Sequence, residues 1–415
     1  MMFYERIART LLGSPRSRHK VRLLFGARQT GKTELLRRIV PPGTTMSVDL
    51  GAASVRRRFE VDPARFGREA RALPRAVRHI LIDEIQKVPA LLDEVQSLYD
   101  ERHSRFDIFL TGSSARKLRR HSANLLPGRS HVFRLYPVTL WEAEGPARMS
   151  WPGAEPSGAL RGRSAGAKPF PAQTLERTLL LGNLPGIRTE TREQAAATLA
   201  AYVENYLEEE IRREALVRDL GAFAEFLRLA ALESGQQVHL SRLSQESGVP
   251  LASVKNYYQV LEDTFAGFWL RPYARRGRKR LLTTPRFLFF DTGARNAAAE
   301  LPADRRILAT EGPRLLEHWV GLELIYRAGY LGRGFSVGFW RAVSGAEVDF
   351  VWQSPQEDVP IEVKWTARPK PADARHVEKF LSEYPQRARR GLVICRCEEV
   401  ERLTERVVAV PWNRF

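Results

Sequence analysis

Over the first 145 residues, short apolar runs (VRLLFG, TMSVDL, HILIDE, FDIFLTG and HVFRLYPV) alternate with longer polar stretches of helical character. Runs that are apolar throughout suit strands covered on both faces, and strands separated by helices run parallel because each crossover must return the chain to the same edge. The pattern therefore predicts a parallel α/β sheet of five strands over residues 1–145. The next stretch, within 146–171, is poor in aliphatic residues and rich in Gly, Pro, Ala and Ser, and reads as a flexible insertion. From 172 to 232 the period becomes helical, with AAATLAAYVENYLEEEIRREAL and FAEFLRLAALESG as amphipathic stripes, the second ending at Gly235. Residues 233–309 predict one helix, a turn at Gly248, a second helix capped near Ser253, and two strands flanking RRGRKR, the outline of a winged helix. Residues 310–415 open with the helix RLLEHWVGLELIYRAG and continue through FSVGFWRA, AEVDFVW, IEVKWT and GLVIC, which predicts a separate α/β domain.

Charge changes this picture more than composition does. Lys plus Arg number 66 against 48 Asp plus Glu, a net +18 over 415 residues, which favours a polyanionic partner, with nucleic acid ahead of an acidic membrane. No apolar run reaches membrane-spanning length, and MMFYERIARTLLG interrupts its apolar residues with Glu5, Arg6 and Arg9, so a cytoplasmic protein is expected. Cys395 and Cys397 stand two apart on an expected strand and read as reduced thiols.

The strongest chemical signal is Gly26-Ala27-Arg28-Gln29-Thr30-Gly31-Lys32-Thr33, which fits G-x-x-x-x-G-K-[ST] between a strand and a helix. In such a loop the glycines let backbone N–H groups curl round phosphates, Lys32 reaches the β and γ oxygens, and Thr33 offers its hydroxyl to Mg²⁺. The strand HILID ends in Asp83, expected to hold the metal shell, and Glu84 beside it is placed to polarise the attacking water. Thr111, Ser113 and Ser114 end another strand, where hydroxyls either orient water and sense the γ-phosphate or cap the helix expected at ARKL. Arg129 precedes the last strand and is either a finger for a neighbouring subunit's phosphate or a solvated loop arginine.

These residues resemble the AAA+ branch of P-loop ATPases, in which GARQTGKT, ILIDEIQKVP, FLTGSS and LLPGR occur in this order. More narrowly, GRSHVFRLYPVTLWE, VKNYYQVLEDTF, TTPRFLFFDTG, GAEVDFVW and IEVKWT resemble a bacterial and archaeal group of AAA+ ATPases that carry a C-terminal restriction-endonuclease-like domain. The resemblance implies ATP as the nucleotide, a helical lid over 172–232, and a homo-oligomeric, hexameric ring with ATP between subunits and Arg129 as the trans-acting finger. The family's GGFP is here LGNLPG at Leu181–Gly186, and no sensor arginine is evident in the lid.

At the other end, strand alternation puts Asp349 on one face of AEVDFVW, and Glu362 together with Lys364 on one face of IEVKWT. Asp349 and Glu362 are thus expected to share a metal across a hairpin, with Lys364 steadying the attacking water and Glu317 adding a third carboxylate. This is the D…(D/E)-x-K arrangement of restriction-type nucleases. Between them, Arg271, Arg275, Arg276, Arg278, Lys279 and Arg280 form a basic run at the expected wing, next to a helix carrying Lys255, Asn256 and Tyr257, and predict sequence-independent phosphate contacts. The expectation is an ATP- and Mg²⁺-dependent ring that translocates on or remodels DNA, with a C-terminal domain that grips or cleaves it. A nucleotide-controlled switch in signalling or defence, and an ATP-licensed nuclease, are the alternatives.

Overall fold

The computed structural model describes residues 4–415 except 18, 102–104, 115–125, 144–169, 207–210, 212–216 and 274–283. The described residues fall into two compact units: one runs to Tyr136 and includes Asp263–Ala266, and the other holds the rest.

The first unit is built on β1 (Val21–Phe25), β2 (Thr45–Asp49), β3 (His79–Asp83), β4 (Asp107–Gly112) and β5 (Ser130–Arg134), hydrogen-bonded in the order β2-β3-β4-β1-β5. All four pairings are parallel, as the strand-and-helix alternation requires. Every residue of β1 is buried, the pattern of a central strand with cover on both faces. Crossovers pass through the helices Lys32–Ile39, Ala53–Val61, Ala64–Arg71 and Leu91–Asp100. Because the strands are parallel, Phe25, Asp83 and Gly112 all end at one edge of the sheet, and the loops that leave this edge carry the chemistry. Phe265 returns to this unit from far along the chain and stacks on Phe25 with ring centroids 5.9 Å apart. The helix expected at ARKL lies outside the described residues.

The second unit contains a sheet of eight strands: β6 (Gly267–Pro272), β7 (Arg286–Phe289), β8 (Ser336–Arg341), β9 (Glu347–Gln353), β10 (Asp358–Val363), β11 (Gly391–Cys395), β12 (Glu401–Arg402) and β13 (Val407–Pro411). Their order is β12-β13-β11-β10-β9-β8-β6-β7. The antiparallel pair β6–β7 follows the helices Leu240–Ser247 and Leu251–Asp263, which are separated by Gly248 at φ 67°. The second of these helices begins at Leu251, two residues before the expected cap at Ser253, because Pro250 supplies the carbonyl that accepts the Ser253 and Val254 N–H groups. β6 also pairs in parallel with β8 through Arg271–Gly338 and Pro272–Phe339. One sheet thus runs from the helix-turn-helix segment into the carboxyl-terminal strands.

Aromatic packing holds the helix pair to this sheet. Tyr258 contacts Phe226 and Phe287 at 5.0 Å each and Trp269 at 5.1 Å between ring centroids. On the other side, Phe380 of the helix Arg375–Glu383 packs on Trp340 and Tyr273. Two buried charges are matched within the long helix Leu308–Leu331, where Arg327 donates to Glu323 at 2.8 Å and Glu323 also accepts the Leu140 N–H. Cys395 and Cys397 are buried free thiols with sulfurs 3.3 Å apart.

The LGNLPG stretch has a local explanation. Gly182 sits at φ +73°, and a Cβ there would lie 2.0 Å from Asp291 Oδ1. Asp291 is buried, caps the helix Thr292–Ala298 through the Ala294 N–H, and accepts the Asn183 N–H at 2.7 Å. Burial raises this carboxyl to about 6, against the three backbone N–H groups that pull it down. The folded state therefore favours the protonated form, so the wild type loses stability as pH rises from about 4 to about 6, by ~3 kcal/mol for a shift of about two pH units. Asp291→Asn is expected to destabilise at neutral pH, because one of the two N–H acceptors becomes an amide donor. Its deficit relative to wild type widens as pH falls from 6 to 4, as read from urea unfolding across that range.

Candidate functional site

The P-loop leaves β1 at Phe25 and enters the helix Lys32–Ile39 through Gly31, whose φ of 90° places it in the left-handed region. Glycine adopts that conformation without the Cβ penalty. Gly26 is required for a different reason: a Cβ there would lie 2.2 Å from the Leu135 carbonyl oxygen. Thr30 is buried and closes the loop internally by donating to Ala27 O at 2.9 Å. The Lys32 ammonium is buried too, and donates to Gly26 O at 2.9 Å and Ala27 O at 2.8 Å. Arg6, from the first turn of the chain, ties the loop from behind by donating to Thr30 O at 2.8 Å and Tyr136 O at 2.5 Å. Arg28 and Gln29 sit on the outer side of the loop, Gln29 exposed and at φ 61°.

Across the edge of the sheet, Asp83 collects two hydroxyls. Thr33 donates to its Oδ2 at 2.7 Å, and Thr111 donates to its Oδ1. Glu84 adopts φ 59°, a left-handed conformation uncommon for a non-glycine residue, and its N–H reaches Thr111 Oγ1 at 3.3 Å. The Glu84 carboxylate is held by the Gln86 amide and by Ser113, whose hydroxyl donates at 3.1 Å. Gln86 also bridges to Ser113 Oγ at 3.1 Å and is buried. The hydroxyls of Thr111 and Ser113 thus serve the acidic pair directly.

Gln86 and Arg6 were not singled out in the sequence. Gln86 lies two residues beyond Glu84 in a position that must be buried, which is a readable signal. Arg6 lies 24 residues upstream of its partner in the loop and carries none.

Arg129 stands elsewhere. It precedes β5, and its carbonyl accepts the Val21 N–H at the amino-terminal start of β1. Its guanidinium donates to Asp100 Oδ1 at 2.6 Å, and this bond holds Asp100 below and Arg129 above their ordinary values. The parallel register pairs Val21 with Ser130 and Phe25 with Arg134, so Arg129 stands five residue steps, ~17 Å of strand, from the level at which the phosphate loop leaves β1. It is not part of the cluster around Lys32.

A second cluster lies in the other unit. β9 and β10 are antiparallel, with Phe350 opposite Ile361, and Asp349 Oδ2 accepts the Val363 N–H at 2.8 Å. Lys364 donates to Glu362 Oε1 at 2.6 Å. Glu317, on the helix Leu308–Leu331, accepts from Arg286 at 2.7 Å. The three carboxylates feel one another. Burial, then the charge of Asp349, raises Glu317 to about 7 and Glu362 to about 8, and burial raises Asp349 as well. Burial disfavours the Lys364 ammonium, but the Glu362 carboxylate outweighs it and raises that group.

Among the described residues no three His, Cys, Asp or Glu side chains stand arranged to hold a metal ion. At the position expected for a shared metal, Glu317, Asp349 and Glu362 are engaged by a guanidinium, a backbone N–H and an ammonium respectively. Glu362 Oε2 is nevertheless buried with no hydrogen-bond partner, and an oxygen donor left in that state is what a hard cation would satisfy. Lys255 is exposed on its helix, as is Asn256, while Tyr257 is buried. Arg275, Arg276, Arg278, Lys279 and Arg280 lie outside the described residues.

Comparison with known proteins bears on the first cluster. Residues 18–144 match the family model of an AAA domain. The amino-terminal unit carries a P-loop AAA domain. Residues 172–305 and 314–415 match two families described as domains of unknown function, DUF8612 and DUF4143. An uncharacterized protein of Mycobacterium tuberculosis is 24% identical over 416 residues, covering 100% of this chain and 85% of the relative. One from Haemophilus influenzae is 24% identical over 294 residues, covering 69% of this chain and 65% of the relative. Among solved structures, C. elegans PCH-2 aligns with a TM-score of 0.24 at 14% identity, over 61% of this chain and 66% of that one. A Pyrococcus horikoshii signal-transduction ATPase with a tetratricopeptide repeat sensor aligns with a TM-score of 0.26 at 11% identity, over 79% of this chain and 47% of that one. The AAA assignment rests on the family match and on the loop and sheet geometry. Among the described residues no helix is long and apolar enough to cross a membrane.

Two outcomes follow from this geometry. Lys32→Ala is expected to weaken ATP binding at least about a hundredfold, since a buried ammonium on a phosphate is a charge-assisted contact, as read by calorimetry. Gln86→Ala is expected to leave that affinity within about twofold while lowering kcat about tenfold, because its amide donates to the Glu84 carboxylate and to Ser113 and so positions Glu84. Gln86→Asn is expected to restore less than half of the loss, and equal losses in affinity and kcat would show a merely structural role.

Proposed function

We propose that this chain is an ATP-hydrolysing protein that assembles into a homo-oligomeric, hexameric ring and uses turnover to translocate on or remodel DNA, unwinding it or migrating its branches. The observation that carries the ATPase reading is the Thr33 hydroxyl on Asp83 at 2.7 Å, beside a buried Lys32 and next to a Glu84 held by Gln86 and Ser113. The residues fit the implied cofactor: a threonine hydroxyl and a carboxylate are the hard oxygen donors that Mg²⁺ takes from a protein when phosphates supply the rest. When bound, Mg²⁺ supplies charge neutralisation across the phosphate oxygens. The chain's own residues do the rest. Gly26 to Gly31 present backbone N–H groups to ATP, Lys32 counters the β and γ charge, and Glu84 accepts the proton of the attacking water.

Arg129 is assigned to the neighbouring subunit's ATP. What supports this is its position at the opposite end of β1 and β5 from its own phosphate loop, beyond the reach of its own site. DNA as the partner is supported by the net charge of +18 and by the basic run from Arg271 to Arg280 next to the helix that carries Lys255. In this reading 1–145 is the ATPase core, 146–171 an insertion, 172–232 the lid, 233–309 a winged helix and 310–415 a restriction-endonuclease-like domain.

A second reading, a metal-dependent nuclease licensed by ATP, is favoured by the mutual influence of Glu317, Asp349 and Glu362 beside Lys364. Burial raises all three carboxyls, Glu317 to about 7 and Glu362 to about 8, and a divalent cation would draw them into the charged form.

The test uses two inactive variants. Arg129→Ala keeps an intact P-loop, and Glu84→Gln keeps an intact Arg129. Mixed in equal amounts, they are expected to recover about a quarter of wild-type ATPase, the share of interfaces that pair a whole site with a whole finger. No recovery would overturn the trans role. Forked or duplex DNA is expected to raise wild-type turnover severalfold, and unchanged turnover would overturn the motor reading. Loss of cleavage in Asp349→Ala with retention in Lys32→Ala would assign the nuclease.

A further inference from the structure

A cavity of about 490 Å³ opens in the second unit, lined by residues that include Arg242, Arg286, Arg314, Arg341, Glu233 and Glu347. Four guanidinium groups face two carboxylates there, with Gln236, Gln237 and His239 completing a polar wall. The wall is assembled from separate parts of the fold: the end of the helix Leu220–Leu232, the start of the helix Leu240–Ser247, β7, β8, β9 and the helix Leu308–Leu331. A volume of this size suits a nucleotide-sized ligand.

Arg286 is the informative member. It is 7% exposed, lies with its guanidinium over the Phe339 ring at 4.7 Å, and donates to both Glu317 and Glu347. Its Nε is buried without a hydrogen-bond partner, and so is Glu233 Oε2. The other three arginines are less committed. Arg242 pairs with Glu233 and Glu246 while remaining 52% exposed, Arg341 stands 3.7 Å from Glu347, and Arg314 is exposed and makes no ion pair among the described residues.

We propose that this cavity binds a phosphate ester, with Arg314 and Arg341 gripping it at the rim and Arg286 at the back connecting it to the carboxylates Glu317, Asp349 and Glu362. Guanidinium forks match phosphate oxygens with two parallel N–H bonds, which an ammonium cannot do, and among the described residues this wall carries four arginines and no lysine. Arg286 Nη1 touches Glu317 Oε1 at 2.7 Å, so a phosphate held in the cavity is one guanidinium away from the carboxylate cluster. The inference deepens the nucleic-acid reading above by naming where a phosphate meets the carboxyl-terminal residues. The same chemistry is offered by one phosphodiester of a nucleic-acid strand and by a free nucleotide.

Phenylglyoxal modification of the full chain, with mass-spectrometric readout at Arg242, Arg314 and Arg341, tests the cavity itself, and anisotropy with a labelled oligonucleotide measures binding in parallel. An oligonucleotide, adenosine monophosphate and inorganic phosphate are the three additions. Slowing of Arg314 and Arg341 modification about fivefold or more by the oligonucleotide alone supports a strand phosphodiester, and slowing by the monophosphate supports a free nucleotide. Under the strand outcome the double variant Arg314→Gln, Arg341→Gln makes the log–log salt dependence of oligonucleotide affinity shallower by about 0.7 to 0.9, one phosphate's worth of counterion release. An oligonucleotide that binds by anisotropy, with neither it nor the monophosphate protecting these arginines, overturns the inference and leaves the nucleic-acid reading standing. Absence of oligonucleotide binding with protection by the monophosphate overturns that reading and keeps the cavity. Protection by inorganic phosphate alone, or by nothing, overturns the inference.

Discussion

One carboxylate organises the amino-terminal unit. Asp83 ends β3 and receives a hydroxyl from Thr111 on the adjoining β4 and another from Thr33 at the start of the helix that follows β1. The sheet order makes this possible: β4 lies between β3 and β1, so the ends of three parallel strands stand side by side and short side chains bridge them. Both oxygens of the carboxylate are engaged, one toward the phosphate loop and one toward the strand beside it.

The strain at Glu84 follows from the same arrangement. A left-handed φ in a residue with a Cβ costs ~1–3 kcal/mol and persists only where its surroundings over-determine it. Here Asp83 is fixed from both sides, the Glu84 N–H meets Thr111, and its carboxylate is caught by Gln86 and Ser113. Gly112 completes the fit, since a Cβ there would meet Gln86 Oε1 at 2.7 Å and the Phe25 ring at 3.0 Å. The same Phe25 ring stacks on Phe265, so the strand that precedes the phosphate loop also receives a segment from much later in the chain.

The second unit handles buried charge differently. Its carboxylates are drawn toward neutrality by burial, and Arg286 offsets part of that by donating to Glu317 and Glu347 while its Nε stays unpaired. A buried group with one vacant donor beside carboxyls that titrate near neutral pH is electrostatically unsettled. Removing a partner from such a network is more damaging than never having had it.

The sequence by itself determined the five parallel strands, since buried runs separated by helices admit few other folds, and it determined the phosphate loop, Asp83 and Glu84, because those residues are consecutive and their roles depend on local geometry. It also placed Glu362 and Lys364 on one face, which strand alternation requires. Tertiary structure alone decided that Arg6 secures the loop, that Gln86 and Ser113 hold Glu84, and that Arg129 stands a strand's length from its own phosphate site. It alone joined β6 to β8 in one sheet and brought Arg286 between a cavity and Glu317. The physical reason is sequence separation: hydrophobic periodicity and motif spacing report on neighbours along a helix or strand, whereas a guanidinium that bridges residues 31 and 61 positions away is placed by how the elements pack.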